Sequence, residues 1–595
     1  MWQLEVGDRT VNIIGSLPEA LERFQREPSL AIDLETGGLY PWSDPLAVVT
    51  MSAANGDTAI IHCRGHLDPA LVQFLGEPRT LIAHNSTGFD ALFLATNGVD
   101  VFRPTWFDTL VGESVVLASG RRDVSRSLRD TLARRLGHGA RKGTVEDHLG
   151  WMNQYLTRQQ VEYCVRDTLY LHELKASQEA KARDTANVSE ALALEMSIIP
   201  AVMRMSLNGL PISEPALRRH LDYQERVAAF ALGELEALAG QMNWDSPLQA
   251  RQVFSRFGAP VTSTAKEVLR DLAQFDGPVG RIATRLRQYR EGRQVLKMYG
   301  YAWQLNHMIP HSDGTFRCHA RFWQVGTETG RFSSSDPNLQ QVPRPMRYVF
   351  QAPPGQLILS TDYSQIEVRL AAAAANDANL LRALEQEDIH RAIDATMFQK
   401  PEAEVTKEER SMGKTCAFTL LFGGGANTLY EHSRYFGSGM NLAQAHELVR
   451  KFFASYQQVG IMRDRAMGQA RRGVPVAITM PHGLRRVLVG AELTGTRILN
   501  TTIQGAAASG LKYALALCLE RGIAGYLSAV VHDEVVAVVP DSEEGLWVKD
   551  TLERCMLDGM QQFTTAPIKV ESDYATAWGD EPKWEDIESY EFQAH

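Results

Sequence analysis

Cysteine is scarce, and its spacing excludes two classes at once. The six cysteines at 63, 164, 318, 416, 518 and 555 of a 595-residue chain include no Cys-x-x-Cys pair, so neither a zinc ribbon nor a disulfide framework is indicated. Long apolar runs are missing as well. The longest alanine run, 371–375, is far short of a membrane span and reads as the packed face of a helix. The amino terminus MWQLEVGDRT has neither the apolar centre of a signal peptide nor the arginine-rich character of a transit peptide. No internal repeat or low-complexity tract is visible. A reducing cytoplasm is the expected compartment, with no membrane partner.

Positive charge is also in deficit: 61 Lys and Arg stand against 71 Asp and Glu, a net charge of −10. Net charge would argue against a nucleic-acid partner only if the charges were evenly spread. They are not. Residues 121–142 hold eight Arg or Lys against two Asp, Arg344 with Arg347 and Arg485 with Arg486 form smaller clusters, and the segment from Glu571 to Glu591 reads as an acidic tail. DNA contact at 121–142 is one expectation; a solvated basic face is the other. The length suffices for about three or four domains with substantial cores.

What is present is acid placed where acid is costly. Asp362 follows the apolar β-type run LILST, and Asp533 follows SAVVH. An ionised carboxylate at the end of a buried strand needs compensation, and a shared divalent cation supplies it at two such ends. After Asp362 the apolar period changes to helical at Ile366 and Leu370, beside Gln365 and Arg369, which predicts a strand-to-helix junction. Apolar runs flank His532-Asp533-Glu534 without Gly or Pro, which predicts a hairpin with acids at its tip. Either aspartate alone is equally well a turn residue.

Between them, Thr406-Lys-Glu-Glu409 is a capping-box pattern and Gly423-Gly424-Gly425 a stop, so 407–422 is predicted to be one helix. Arg410, Lys414, Phe418 and Phe422 recur every four residues on one face. Two cations followed by two aromatics suit a ligand with a polyanionic end and a flat end, as in a nucleoside triphosphate. An amphipathic helix with solvated cations is the plainer reading of that face alone. In the first third of the chain, Asp33 and Glu35 fall on one side of a predicted strand. His84-Asn85-x-x-x-Phe89-Asp90 follows, and then Tyr163 and Asp167 at helical spacing.

Taken in order, DYSQIEVR, RSMGKTCAFTLLFG and VHDE resemble motifs A, B and C of the A-family DNA polymerases. TETGRFSSSDPNLQQVP resembles the segment before motif A, Asp388-Ile-His390-Arg-Ala the fingers motif, and NWDSPLQ from Asn243 the thumb. The acids of the first third resemble, in order and spacing, a DEDDy-type 3′–5′ exonuclease, the proofreading domain of the same family.

The resemblance implies an α/β multidomain fold: an RNase H-like 3′–5′ exonuclease domain at 1–185, followed by a right-hand polymerase. Thumb is expected at 186–310, palm at 311–372 and 491–595, and fingers at 373–490. It implies template-directed addition of dNTPs to a primer 3′-OH, with proofreading, by two-metal phosphoryl transfer. Asp362, Asp533 and the carbonyl of Tyr363 would hold a pair of Mg²⁺ ions. Asp33, Glu35, Asp90 and Asp167 would hold a second pair, with Mn²⁺ an alternative, and Tyr163 would orient the attacking water.

Arg410, Lys414, Phe418, Phe422, His390 and Gln365 would surround the dNTP. Lys414 is the candidate donor to the leaving pyrophosphate, and Glu367 the gate against a ribose 2′-OH. Arg331, Asn338, Gln340, Asn500, Gln504 and His532 would face the primer-template, whose minor groove offers similar acceptors for every base pair. Glu534, adjacent and acidic, would be a secondary contributor. Thr419, Phe422, Thr496 and Arg497 depart from the bacterial pattern, and Asn-Thr-Thr-Ile-Gln at 500–504 is more phage-like. The resemblance therefore implies a replicative polymerase of a phage or related element, acting as a monomer. It is expected to lack both a 5′-nuclease domain and a large thumb insertion for a processivity factor; a helicase, primase or single-strand-binding protein is a conceivable partner.

Overall fold

The computed structural model describes residues 2–6, 9–117, 124–138, 150–153, 155–386, 388–435, 440–582 and 584. The first third is built on a seven-stranded sheet of order β1-β2-β5-β4-β3-β6-β7. Its strands are β1 (Trp2–Val6), β2 (Arg9–Ile14), β3 (Ser29–Thr36), β4 (Leu46–Ser52), β5 (Thr58–His62), β6 (Thr80–Ala83) and β7 (Thr105–Asp108). β3, β4 and β5 pair antiparallel, while β3, β6 and β7 run parallel. The sheet is covered on both faces, so β4 (LAVVTMS) is buried throughout. Ile32, Leu34 and Val49 belong to the core on one face, Ala31 and Val48 to the core on the other. Asp33 and Glu35 alternate onto the Ala31 face.

Five helices matter to this part: α1 (Asp90–Thr96), α2 (Thr109–Val116), α3 (Leu128–Leu136), α4 (Arg158–Leu169) and α5 (Val188–Ser197). α4 begins with a capping box between Thr157 and Gln160, worth about 1 kcal/mol. Val188, Ala191 and Leu192 of α5 share one apolar cluster with Val325, Met480 and Leu484 from the second part of the chain. Core packing is thus continuous across the junction.

Two long helices, α6 (Glu214–Ala239) and α7 (Pro278–Tyr299), follow as an extended pair. Their outer ends close over a separate cluster that includes Trp244 and Phe254. A hairpin of β8 (Arg321–Trp323) and β9 (Ser333–Ser335) leads into the central sheet. That sheet has the order β13-β14-β10-β15, from β10 (Gln356–Tyr363), β13 (Leu527–Val531), β14 (Glu534–Pro540) and β15 (Val570–Ala575).

Leaving β10, the chain turns through Gln365 at φ 52° into α8 (Ile366–Ala375), then α9 (Ile389–Phe398) and α10 (Lys407–Leu421). β11 (Val476–Thr479) and β12 (Arg485–Leu488) form a small hairpin ahead of α11 (Gly495–Glu520), which packs against α12 (Glu543–Gln561). Ala371 and Ala372 of the alanine run are buried, as expected of a packed face, whereas Ala374 is exposed. The expected acidic tail is in part a strand: β15 pairs with β10, bringing Glu571 opposite Asp362. Residues 585–595 lie outside the described residues.

Candidate active sites

Asp362 closes β10, with Glu534 as its register partner in β14. Asp533 occupies the tight turn between β13 and β14, as the hairpin reading expected. His532 makes that turn with φ 58°, and Gln340 clamps it from outside. The Gln340 amide carbonyl accepts from the His532 backbone N–H at 2.7 Å, and its NH₂ donates to the Val530 carbonyl at 2.8 Å. Asn338, also expected near DNA, caps the short turn at Leu339–Gln341 by accepting from the Gln340 N–H at 3.0 Å. Gln340 therefore holds the turn that carries Asp533, and Asn338 holds the short turn that presents Gln340.

Burial, then the charges of Glu534 and Asp533, push the Asp362 carboxyl up to about 7. The three acids differ in what they already hold. Glu534 is engaged by Arg347 at 2.9 Å, by the Trp578 indole at 2.6 Å and by Ser360. Arg347 also lies 4.2 Å over the Trp578 ring. Asp533 is met by Arg331 Nη2 at 3.1 Å, and the same nitrogen lies 2.9 Å from Glu367 Oε1. A cleft of about 210 Å³ brings together Asp362, Tyr363, Gln365, Glu367, Phe418, His532, Asp533 and Glu534. Residues from all three sequence segments thus line one space.

The wall above that cleft is α10. Its capping box forms between Thr406 and Glu409 as predicted. Its other end closes with Gly423 N–H to the Leu420 carbonyl at 3.1 Å and Gly424 N–H to the Thr419 carbonyl at 2.9 Å. This is a Schellman closure that needs the positive φ of Gly423, 83°. Phe422 is the helix's last cap residue and packs against the central core, so of the two α10 aromatics it is Phe418 that lines the cleft.

Phe418 is 38% exposed, with the His390 ring 6.1 Å away. Lys414 is exposed, and Arg410 pairs with Asp388 at 2.6 Å. Burial, then Lys414 and Arg410, push His390 down to about 4, so the ring is neutral. On α11, Asn500 and Gln504 stand one turn apart and are partly buried. The Asn500 carbonyl oxygen has no hydrogen-bond partner among the described residues. Thr496 is exposed beside it, and Arg497 pairs with Glu492 at 3.4 Å.

The second site lies on β3. Ligand atoms of Asp33, Glu35 and Asp167 fall within 4.8 Å of one another. Burial, then Asp167 and Asp90, push Glu35 up to about 9; burial, then Asp108, push Asp90 up to about 8. Asp33 rises well above its usual value by burial, Asp167 and Glu35, and Asp167 rises to about 6 by burial against a hydrogen bond from Tyr163. Carboxylates this close and this dry fit a divalent cation with hard oxygen ligands. Asp362, which is exposed, and Asp533 line one cleft, with Arg331 already supplying positive charge at Asp533.

The description "DNA polymerase family A" matches residues 218–580. The chain belongs to that family. A second description, "3'-5' exonuclease", matches residues 9–180. DNA polymerase I of Aquifex aeolicus is 27% identical, covering 94% of this chain and 98% of that protein. DNA polymerase I of Chloroflexus aurantiacus is 26% identical, and there this chain spans only 62% of the relative's length. The solved structure titled "POL domain of Pol1 from M. smegmatis complex with DNA primer-template and dNTP" has the same fold. Its TM-score is 0.79 at 23% identity, covering 97% of this chain and 98% of that one.

In this family A polymerase with its exonuclease domain, several parts escaped the sequence reading. Asp108 is fully buried; it caps α2 and holds the Asn85-Ser86 turn ahead of Asp90. Its signal was only an Asp before an apolar helix. In the basic stretch, Arg134 and Arg135 of α3 pair with buried Glu113 at 2.9 and 2.8 Å. Those two cations have an internal role; residues 121–123 and 139–142 lie outside the described residues. Arg486 is likewise buried, between Glu328 and Thr501. Among the described residues no helix is long and apolar enough to cross a membrane.

Proposed function

We propose that this polymerase extends a primer 3′-OH by template-directed dNTP addition in the cleft above Asp362, and trims 3′ ends at the Asp33 cluster. The convergence of Asp362, Glu367, Phe418 and Asp533 on one cleft carries the reading. A polymerase Pol1 fold solved with DNA primer-template and dNTP supports it. Asp362, Asp533 and the Tyr363 carbonyl are the groups that would hold Mg²⁺, and Asp33, Glu35, Asp90 and Asp167 would do so at the trimming site. When bound, such cations acidify the attacking hydroxyl or water and neutralise charge on the transferring phosphoryl group.

The chain's own residues do the rest. Arg410 leaves Asp388 to meet the triphosphate, and Lys414 donates a proton to the departing pyrophosphate. Phe418 stacks on the incoming base and sugar, beside the neutral ring of His390. Glu367, held by Arg331, presents its carboxylate where a ribose 2′-OH would stand. Asn500, Gln504 and His532 face the minor groove. Tyr163 orients water at the second site. The phage-type assignment rests on the run 500–504 and on the compact domain layout.

The testing experiment incubates protein with primer-template and Mg²⁺, with and without dNTPs. Extension with dNTPs and 3′ shortening without them are expected. Neither product from a folded protein refutes the reading.

A further inference from the structure

Arg331 reaches the primer end, on the reading above, from a loop between β8 and β9 that is held in an unusual way. The loop is a tight turn: the Gly326 and Thr327 N–H groups each lie 3.2 Å from the Arg331 carbonyl, and the Arg331 N–H donates to Thr327 Oγ1 at 3.0 Å. Gly330 takes φ 76°. Beneath it, three polar side chains converge in full burial: Glu195 of α5, Lys512 of α11 and His482 in the β11–β12 turn. Lys512 is ion-paired with Glu195. His482 Nε2 lies 3.6 Å from Glu195, while His482 Nδ1 meets Ser509 at 2.6 Å.

Both ends of the Arg331 turn rest on this group. Gln324, at its entrance, donates to the Glu195 backbone carbonyl at 2.7 Å and to Glu195 Oε2 at 3.1 Å. At its exit, Lys512 Nζ lies 3.9 Å from where a side chain at Gly330 would begin, and 5.9 Å from the centre of the Phe332 ring. Burial alone would raise Glu195, yet Lys512 and His482 outweigh it and hold the carboxyl below its usual value. Apolar residues of equal volume would hold α5 to α11 at least as firmly as a buried ion pair. What the pair adds is direction, because a charged hydrogen bond fixes both partners in angle as well as distance.

We propose that Glu195, Lys512 and Gln324 are positioning residues for Arg331. Through them, the helix leaving the exonuclease domain sets how the guanidinium meets Asp533, Glu367 and the primer end. A misplaced primer terminus would be felt at Arg331, and Arg331 is anchored to α5 rather than to the central sheet alone. The inference rests on the proposed polymerase reading of the cleft. None of the three positioning residues touches substrate.

The test compares wild type, E195Q/K512M, Arg331→Ala and the triple variant. Single-turnover extension is measured from matched and mispaired primer ends, with thermal melting alongside. E195Q/K512M leaves no unpaired buried charge and is expected to melt near wild type. Matched-end extension should slow roughly tenfold or more, as displacement of a positioning group does, with less discrimination against the mispaired end. The triple variant should be no slower than Arg331→Ala, since residues acting through one group are not additive.

Gln324→Met, which keeps the ion pair, should show the same pattern and covers the case in which the double variant fails to fold. Folded variants that keep wild-type discrimination, or whose losses multiply with that of Arg331→Ala, overturn the inference alone. A wild type that extends no primer overturns the functional reading, and this inference with it.

Discussion

Arg331 and Asp533 are joined at 3.1 Å across the cleft, and the same guanidinium nitrogen lies 2.9 Å from Glu367. One cation therefore stands between the acid proposed to hold metal and the acid proposed to gate the sugar. Removing it would free Asp533 while unfastening Glu367. Arg331→Ala is expected to slow extension roughly 100-fold, the scale of losing one positioned charge. The Mg²⁺ concentration for half-maximal rate should not rise, and 3′ trimming should persist. Extension rates across a Mg²⁺ titration check this.

Asp33→Ala with Glu35→Ala should abolish 3′ trimming and leave extension intact. It carries a pH signature as well. Glu35 titrates at about 9 in the fold and near 4.3 unfolded, so the folded state binds the extra proton between those values and stability falls as pH rises through them. In EDTA, wild type should lose more melting temperature between pH 6 and pH 9 than the variant. Equal losses in the two proteins would contradict the assigned burial of charge.

Asp394 of α9 is fully buried, with both carboxyl oxygens lacking a hydrogen-bond partner among the described residues. Burial, then Glu409 and Asp388, push it up to about 8. Stability from this group falls from pH 4 towards pH 8, by roughly 1.4 kcal/mol per unit at most. Asp394→Asn should flatten that slope, as read by thermal melting at pH 5.5 and 8.5.

Glu534 is expected to matter first to folding. Glu534→Ala leaves Arg347 and the Trp578 N–H without their carboxylate, a loss of about 3 kcal/mol for a buried charged partner. Melting should fall by several degrees. Glu534→Gln should recover part of the loss, and extension per folded molecule should fall far less than in Asp362→Ala.

The sequence revealed the local chemistry more fully than the support beneath it. The capping box at Thr406, the glycine stop at 423–425, the strand-end Asp362 and the hairpin at Asp533 are encoded within a few residues each, so period and turn chemistry expose them. Glu571, opposite Asp362, could not be read that way because it pairs across strands far apart in the chain. The same holds for Glu195 with Lys512, and for Gln340 with the His532 turn. Each is a long-range contact whose partners have ordinary local signatures. Phe422 falls on the Phe418 face by spacing, but the helix ends there and the partly buried ring packs against the central core.

On the proposed function, two separate acid sites build and remove the same strand end. It is tested most directly by Asp362→Ala and Asp533→Ala on a primer-template with Mg²⁺, assayed with dNTPs for extension and without them for shortening. Both variants should yield no extension and wild-type rates of 3′ shortening. Extension that persists in either variant, or shortening lost together with extension in a folded protein, would contradict that function.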